Sequence, residues 1–256
     1  MTLEIVQFMC LEDNFGILLH DAASGRTAAV DAPEAAAIER ELEARGWRLD
    51  EILVTHHHGD HTAGIAALKA KYGAVVTGPA AEADKIEGLD RLVKPGDRFE
   101  FAGRPVEVIG TPGHTLGQVA LYWPTEKLVF AADALFSLGC GRVIEGTMDQ
   151  MWSSLQALAA LPDDTVLYCG HEYTLSNARF ALSVDPDNPA LLAHAAEAKR
   201  LREAGKPTLP STIAAEKAAN PFLRADHPSI RARLGVDGAP VAEVFAALRR
   251  AKDSFR

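Results

Sequence analysis

The segment 55–61, Thr-His-His-His-Gly-Asp-His, constrains the fold most, because its metal-binding side chains must meet from one short turn. The apolar run Glu51–Thr55 at its start predicts a buried strand. Gly64–Tyr72 after it predicts a helix, with Ile65 and Leu68 on the apolar face. The motif is therefore expected on a loop that joins a strand to a helix.

Alternation along this loop sorts its side chains into two groups. His56, His58 and Asp60 can point into a common cavity. The adjacent His61 turns toward a neighbouring point, which makes two metal centres geometrically feasible. The same alternation turns His57 away, and we expect it to pack or to support a ligand through a hydrogen bond.

Three further candidate ligands each come just past an apolar run that predicts a strand. They are His114, Asp133 and His171. If these strands lie side by side, their ends bring the three residues to the same edge as the 55–61 loop. The total is then five imidazoles and two carboxylates, which suit borderline divalent metals and suffice for two centres.

Short strand patterns alternate with helical ones as far as Tyr173, and several strands are separated only by turns. Mixed sheets with outer helices are expected. The predicted strands are Leu3–Phe8, Phe15–His20, Thr27–Val30, Glu51–Thr55, Ala74–Thr77, Pro105–Ile109, Gln118–Trp123, Lys127–Ala131 and Thr165–Cys169. The predicted helices in this region are Glu34–Arg45, Gly64–Tyr72 and Asp149–Leu161. Beyond Tyr173 the strand patterns stop, and helices are expected after the N-cap Asn188 and around 241–248.

Composition excludes several classes of protein. A net charge of −9 argues against a general nucleic-acid or membrane-surface binder, which would present a basic face. The sequence has no apolar run of about 18 residues and no signal-peptide pattern at its start, and we expect a cytoplasmic protein. Three widely spaced cysteines, Cys10, Cys140 and Cys169, predict packed thiols rather than disulfides or a cysteine zinc site.

The complete ligand pattern resembles that of the metallo-β-lactamase superfamily of metallohydrolases. Within it, the chain resembles the glyoxalase II family, the hydroxyacylglutathione hydrolases, along nearly its whole length. The motifs that carry this second resemblance are Gly139-Cys-Gly-Arg142, Glu145-Gly-Thr147, Cys169-Gly-His-Glu-Tyr-Thr174, Asn220-Pro-Phe222 and the ending Arg249–Phe255. The resemblance implies an α+β fold: a four-layer αββα metallo-β-lactamase-like sandwich followed by a smaller helical domain. We expect a catalytic domain over residues 1–173 and a mainly helical, substrate-binding domain over 174–256.

The resemblance also implies two divalent metal ions. Their expected ligands are His56, His58 and His114 for the first ion, Asp60, His61 and His171 for the second, and Asp133 as a bridge. A hydroxide shared between the metals and held by Asp133 is the implied nucleophile, with Asp60 as an orienting group. Zinc is the expected metal, and the same residues accept iron or manganese.

The implied reaction is hydrolysis of S-(2-hydroxyacyl)glutathione, typically S-D-lactoylglutathione, in the second step of methylglyoxal detoxification. Glutathione carries two carboxylates, for which the resemblance supplies Arg142, Tyr173, Arg249 and Lys252. One departure is Ile144, where relatives often have an aromatic residue. A thioester needs little acid assistance, because its leaving thiol has a pKa of about 8.5 by analogy with cysteine. The protein is expected to act as a monomer.

Other functions stay open at the level of sequence. A mononuclear iron dioxygenase acting on glutathione persulfide shares the superfamily, although all residues for a second metal are present here. A non-catalytic protein that binds glutathione or metal is a further alternative. Hydrolysis of β-lactams is disfavoured, because neither a secretion signal nor the helical C-terminal region fits it.

Overall fold

The computed structural model describes residues 3–255. The chain forms two compact units. The first comprises Met1–Gly110 and Thr115–Phe130, and the second comprises Thr111–His114 and Ala131–Arg256.

The first unit is built on a six-stranded mixed sheet and on four antiparallel strands of a second sheet. The six strands, in sheet order, are β1 (Glu4–Cys10), β2 (Asn14–Asp21), β3 (Arg26–Val30), β4 (Glu51–Leu53), β5 (Val75–Pro79) and β6 (Arg91–Val93). Strands β1 to β3 pair antiparallel, and β3 to β6 pair parallel. The other four strands are β7 (Arg98–Phe101), β8 (Arg104–Gly110), β9 (Val119–Trp123) and β10 (Leu128–Phe130), each antiparallel to the next.

Apolar residues at helical spacing form the helices of this unit. They are α1 (Ala35–Arg45), α2 (Gly59–Thr62) and α3 (Ile65–Tyr72), together with a short 3-10 helix (Ala80–Glu82). Glycines at their C-caps end α1 and α3. Helix α1 ends at Gly46, whose φ of 67° is readily reached only without a side chain. Buried residues of α1 and α3, such as Ile38 and Leu68, share one apolar core with Ile52 and Val76 of the first sheet.

The parallel strands place two segments at one sheet edge. Strands β3 and β4 run in the same direction, and their carboxyl ends therefore lie together. Asp31 follows β3 and His56 follows β4, and the Asp31 amide donates to the Leu53 carbonyl at 2.9 Å. This edge carries the loop with the first candidate ligands.

The second unit is mainly helical. Its helices are α4 (Met148–Ala159), α5 (Thr174–Val184), α6 (Pro189–Glu203), α7 (Ile213–Ala219), α8 (Pro228–Leu234) and α9 (Val241–Ser254). Asn188 caps α6 as predicted, because its side-chain oxygen accepts from the amides of Ala190 and Leu191. Two short antiparallel strand pairs complete the unit: the hairpin of β11 (Leu135–Phe136) with β12 (Gly139–Cys140), and β13 (Val166–Tyr168) with β14 (Ser211–Thr212).

The predicted strands and helices all occur, with shifted ends, but the sequence patterns missed several short elements. Strands β6 and β7 were not predicted because exposed charged residues interrupt their apolar patterns. The expectation that strands stop after Tyr173 is wrong at β14, a two-residue strand too short to produce a pattern. Within residues 3–255, no helix combines the length and the apolar character needed to cross a membrane.

Candidate metal centre

Histidine ring nitrogens lie close together on the loop that follows β4. His56 is fully buried, and its Nε2 lies 3.2 Å from Nδ1 of His58. Asp60 is in the first turn of α2, with its Oδ2 3.9 Å from Nε2 of the buried His61. Asn14 holds Asp60 by donating to its Oδ2 at 3.1 Å and to its carbonyl at 3.0 Å.

Asp31 fixes the orientation of two of these histidines. Its Oδ2 lies 2.8 Å from Nδ1 of His61, which leaves Nε2 of that ring to act as a ligand. The same oxygen accepts from the Thr55 hydroxyl at 2.8 Å. Because that hydroxyl donates its only proton to Asp31, it accepts from His56 Nδ1 at 3.1 Å, and His56 also presents Nε2. Asp31 was missed from the sequence, although it follows a strand just as Asp133 does.

The second unit contains a cluster of its own around Asp133. Nε2 of His114 and Nε2 of His171 each lie 3.3 Å from the same carboxylate oxygen, Oδ2. All three residues are buried. Nδ1 of His114 donates to the Arg142 carbonyl at 2.9 Å, which leaves Nε2 to act as the ligand atom. One oxygen of Asp133 thus lies at the same distance from two imidazoles.

The spacings within each cluster fit a transition metal. At metal–nitrogen distances of about 2.0–2.1 Å, two ligands of a tetrahedral ion lie roughly 3.3–3.4 Å apart. The separations at His56–His58, His114–Asp133 and His171–Asp133 are 3.2, 3.3 and 3.3 Å. The Asp60–His61 separation of 3.9 Å is wider. Imidazoles with fixed tautomers and carboxylates are ligands suited to divalent metals.

Aromatic rings cover one side of the second cluster. The Tyr173 ring stacks on His171 with centroids 4.7 Å apart and planes within 5°. Phe136 meets Tyr173 edge to face at 5.4 Å and His171 at 6.0 Å. Tyr173 is therefore positioned beside a candidate ligand, where its ring limits the rotation of His171.

A polar network holds the β11–β12 hairpin, which begins two residues after Asp133. Glu216 of α7 is fully buried and accepts from the Leu138 amide at 2.8 Å. Asn220 donates to the carbonyls of Phe136 and Gly139 at 3.1 and 2.9 Å. These partners were not predicted, because helical periodicity marks a position as buried but not as bonded to a distant hairpin.

The four predicted substrate-binding residues occupy different environments. Arg249 is 3% exposed: Nη1 donates to the Cys140 carbonyl at 2.8 Å and Nη2 to Asp253 at 2.9 Å, and its guanidinium lies 5.2 Å from the Phe222 ring. Lys252, one turn later in α9, donates to the Ser176 carbonyl at 3.1 Å. Partial burial and the nearby Arg249 hold the pKa of Lys252 below its ordinary value.

The segment after Gly141 presents the remaining predicted contacts. The Arg142 side chain is exposed, whereas its carbonyl supports His114. Ile144, the predicted departure from the family pattern, is 54% exposed. Buried Cys140 and Cys169 fit the expectation of packed thiols, and burial raises the pKa of Cys140 to about 11.

Comparison with known proteins identifies the family. The model of the metallo-β-lactamase superfamily matches residues 16–171, and the model of the hydroxyacylglutathione hydrolase C-terminus matches residues 172–255. A hydroxyacylglutathione hydrolase from Rhizobium meliloti (strain 1021) is 57% identical over 253 residues and covers 99% of this chain and 99% of its own. The chain belongs to the hydroxyacylglutathione hydrolase family. A second hydroxyacylglutathione hydrolase, from Ruegeria pomeroyi, is 56% identical and covers 100% of both chains.

Membership of the hydroxyacylglutathione hydrolase family confirms the predicted resemblance and the α+β fold class. The fold is a metallo-β-lactamase domain of mixed sheets and helices followed by the C-terminal domain of that family. The crystal structure of ETHE1 from Myxococcus xanthus shares the fold, with a TM-score of 0.67 at 24% identity over 98% of this chain and 97% of the other. Metal-binding clusters of histidine and aspartate accompany this fold in the present chain.

Proposed function

We propose that the protein is a metal-dependent thioester hydrolase that cleaves S-(2-hydroxyacyl)glutathione, typically S-D-lactoylglutathione, to D-lactate and glutathione. This is the second step of methylglyoxal detoxification. The observation that carries the proposal is 57% identity to a hydroxyacylglutathione hydrolase over 99% of both chains. That length includes the C-terminal region, which matches the model of the hydroxyacylglutathione hydrolase C-terminus.

The proposed metal centre uses the seven ligands that the family resemblance implies. We assign one divalent ion to His56, His58 and His114, a second to Asp60, His61 and His171, and the bridging position to Asp133. The equal distances from Asp133 Oδ2 to two imidazole nitrogens support the bridge. Zinc is the proposed metal, because imidazole-rich sites with carboxylates suit it, and iron or manganese would fit the same donors.

Two divalent ions held there would lower the pKa of a bound water to about 7 and stabilise negative charge on the thioester carbonyl. The chain's own residues then have three tasks. Asp31 and the Arg142 carbonyl hold imidazole tautomers, Asp133 supplies a buried negative charge beside His114 and His171, and Asp60 would orient the attacking water. In the overall reaction the carbonyl carbon gains the water oxygen, the C–S bond breaks, and glutathione leaves as a thiolate. Strong acid assistance is unnecessary, because a thiolate is a good leaving group.

The proposed glutathione site uses cationic and aromatic groups of the second unit. Lys252 is partly exposed and offers an ammonium group to a carboxylate. Tyr173 and Arg142 flank the Asp133 cluster through His171 and His114. Arg249 as a direct substrate contact stays a prediction, since its donors in the structure go to Cys140 and Asp253.

We further propose that residues 1–173 carry the chemistry and residues 174–256 bind the substrate. A cytoplasmic location and a monomeric state complete the proposal. A net charge of −9 supports a small-molecule substrate rather than nucleic acid or a membrane.

The proposed activity is tested by incubating purified protein with S-D-lactoylglutathione and titrating the released thiol. We expect one glutathione per D-lactate formed and no oxygen consumption. Glutathione persulfide supplied to the same sample is expected to leave dissolved oxygen unchanged. Oxygen uptake with the persulfide, together with no thioester cleavage, would favour the mononuclear iron dioxygenase, which the hydroxyacylglutathione hydrolase relatives do not favour.

A further inference from the structure

Glu82 is a buried carboxylate that the proposed reaction does not use. It ends the short 3-10 helix after β5, is 1% exposed, and accepts hydrogen bonds from two separate loops. Its Oε2 accepts from the backbone amide of His57 at 2.7 Å and lies 2.9 Å from Nδ1 of the same residue. Its Oε1 accepts from the Thr115 hydroxyl and from the Gly117 amide, the latter at 2.9 Å.

The donors of Glu82 come from positions next to proposed metal ligands. His57 lies between His56 and His58, and Thr115 directly follows His114 in the chain. A bond to the His57 amide fixes the peptide plane between His56 and His57, and with it the backbone that leads to His58. The His57 ring also contacts Glu82. This contact gives a role to His57, the one histidine of the loop that is not a proposed metal ligand.

Tight packing shows that the carboxylate has little room to move. A Cβ added at Gly117 would lie 2.4 Å from Cγ and 3.0 Å from Oε1 of Glu82. Glycine at position 117 thus lets the backbone approach and donate its amide. A buried carboxylate with this many donors, held at close range on both sides, is a rigid support.

We propose that Glu82 is a positioning residue for the metal centre, which sets the His56–His58 pair through His57 and the His114 backbone through Thr115. The proposal rests on the proposed function, because it takes those histidines as ligands. Partners that hold metal ligands typically change metal affinity by about 10–100-fold when they are removed.

The decisive variant is Glu82→Gln, which keeps the size of the side chain. Glutamine has one oxygen and one NH2 group in place of the two carboxylate oxygens. In either orientation its NH2 group faces donors, either those of His57 or those of Thr115 and Gly117, and cannot accept their hydrogen bonds. We expect the dissociation constant for Zn²⁺, measured by competition with a chromophoric chelator, to rise about 10–100-fold. The visible absorption of the Co²⁺-loaded protein, which reports ligand geometry, should change as well.

Glu51→Gln is the matched control, because Glu51 is another buried carboxylate of the same unit, paired with Arg26 at 2.5 Å. It lies at the end of β4 away from the ligand loop, and its loss should lower the melting temperature without changing Zn²⁺ affinity or the Co²⁺ spectrum. If Glu82→Gln does not fold by circular dichroism, Thr115→Val decides, since it removes one donor to Glu82. We expect it to weaken Zn²⁺ binding severalfold.

The inference would be overturned if a folded Glu82→Gln protein kept the Zn²⁺ affinity and the Co²⁺ spectrum of wild type. If Glu82→Gln does not fold, the same result for Thr115→Val would overturn it. A weakening equal to that of Glu51→Gln would also overturn it, because any buried carboxylate would then have the same effect. A wild-type protein that binds none of Zn²⁺, Fe²⁺ and Mn²⁺ would instead overturn the proposed function. The two failures are therefore distinguishable.

Discussion

Replacing Asp133 by asparagine is expected to lower kcat for S-D-lactoylglutathione about a thousandfold, because the proposed bridging ligand loses its negative charge. The residue is 6% exposed, and its Oδ2 faces the nitrogens of His114 and His171 at 3.3 Å each. Asparagine has the same shape but no charge, and its amide nitrogen is not a metal ligand. We expect the zinc content per chain, measured by elemental analysis, to fall together with kcat.

Asp163→Asn provides the matched control for this change. Asp163 is a largely exposed carboxylate of the same unit and pairs with Lys217 at 2.8 Å. Its substitution removes one surface ion pair, which is worth about 0–1 kcal/mol, and should leave kcat and zinc content as in wild type. An Asp133→Asn protein that retains two zinc ions and a kcat within tenfold of wild type would contradict the assigned bridge.

The second large effect is expected for Arg249→Met, and it concerns stability. Methionine retains an apolar stem, but the Cys140 carbonyl loses its donor and Phe222 loses the guanidinium that lies 5.2 Å away. A buried hydrogen bond and a cation–π contact together suggest about 2–4 kcal/mol. For a chain of this size, that loss lowers the melting temperature by roughly 5–15 °C.

Lys252→Met is the partner variant, one turn along the same helix. Its ammonium group donates to the carbonyl and to the hydroxyl of Ser176 at 3.1 and 3.2 Å. We expect the melting temperature to stay within about 2 °C of wild type and KM for the glutathione thioester to rise, because a remote binding group is lost. An Arg249→Met protein with wild-type stability and a raised KM would assign Arg249 to the substrate instead.

Much of the candidate site could be predicted because it is encoded locally. The spacing of His56, His58, Asp60 and His61 specifies their loop directly. His114, Asp133 and His171 each follow an apolar run, and the strand-end argument places such residues at sheet edges. The structure gathers the members of each set within their own unit.

The supporting residues were harder to predict, for different physical reasons. Asp31 follows β3, and the strand-end argument applied to every acidic residue would have included it. Glu82 lies in a three-residue helix with no periodicity, and its sequence context resembles an exposed polar turn. Arg249 sits at the edge of the apolar face of α9, where spacing cannot separate a buried cation from an exposed one. Its burial depends on Cys140 and Phe222, which are distant in sequence.

The most direct test of the account is to strip the protein of metal with a chelator and return zinc in measured equivalents. Hydrolysis of S-D-lactoylglutathione is followed at each step alongside bound zinc. The proposed binuclear centre predicts that activity disappears on chelation and returns in full as zinc approaches two ions per chain. Undiminished hydrolysis by protein that elemental analysis shows to be free of metal would contradict it.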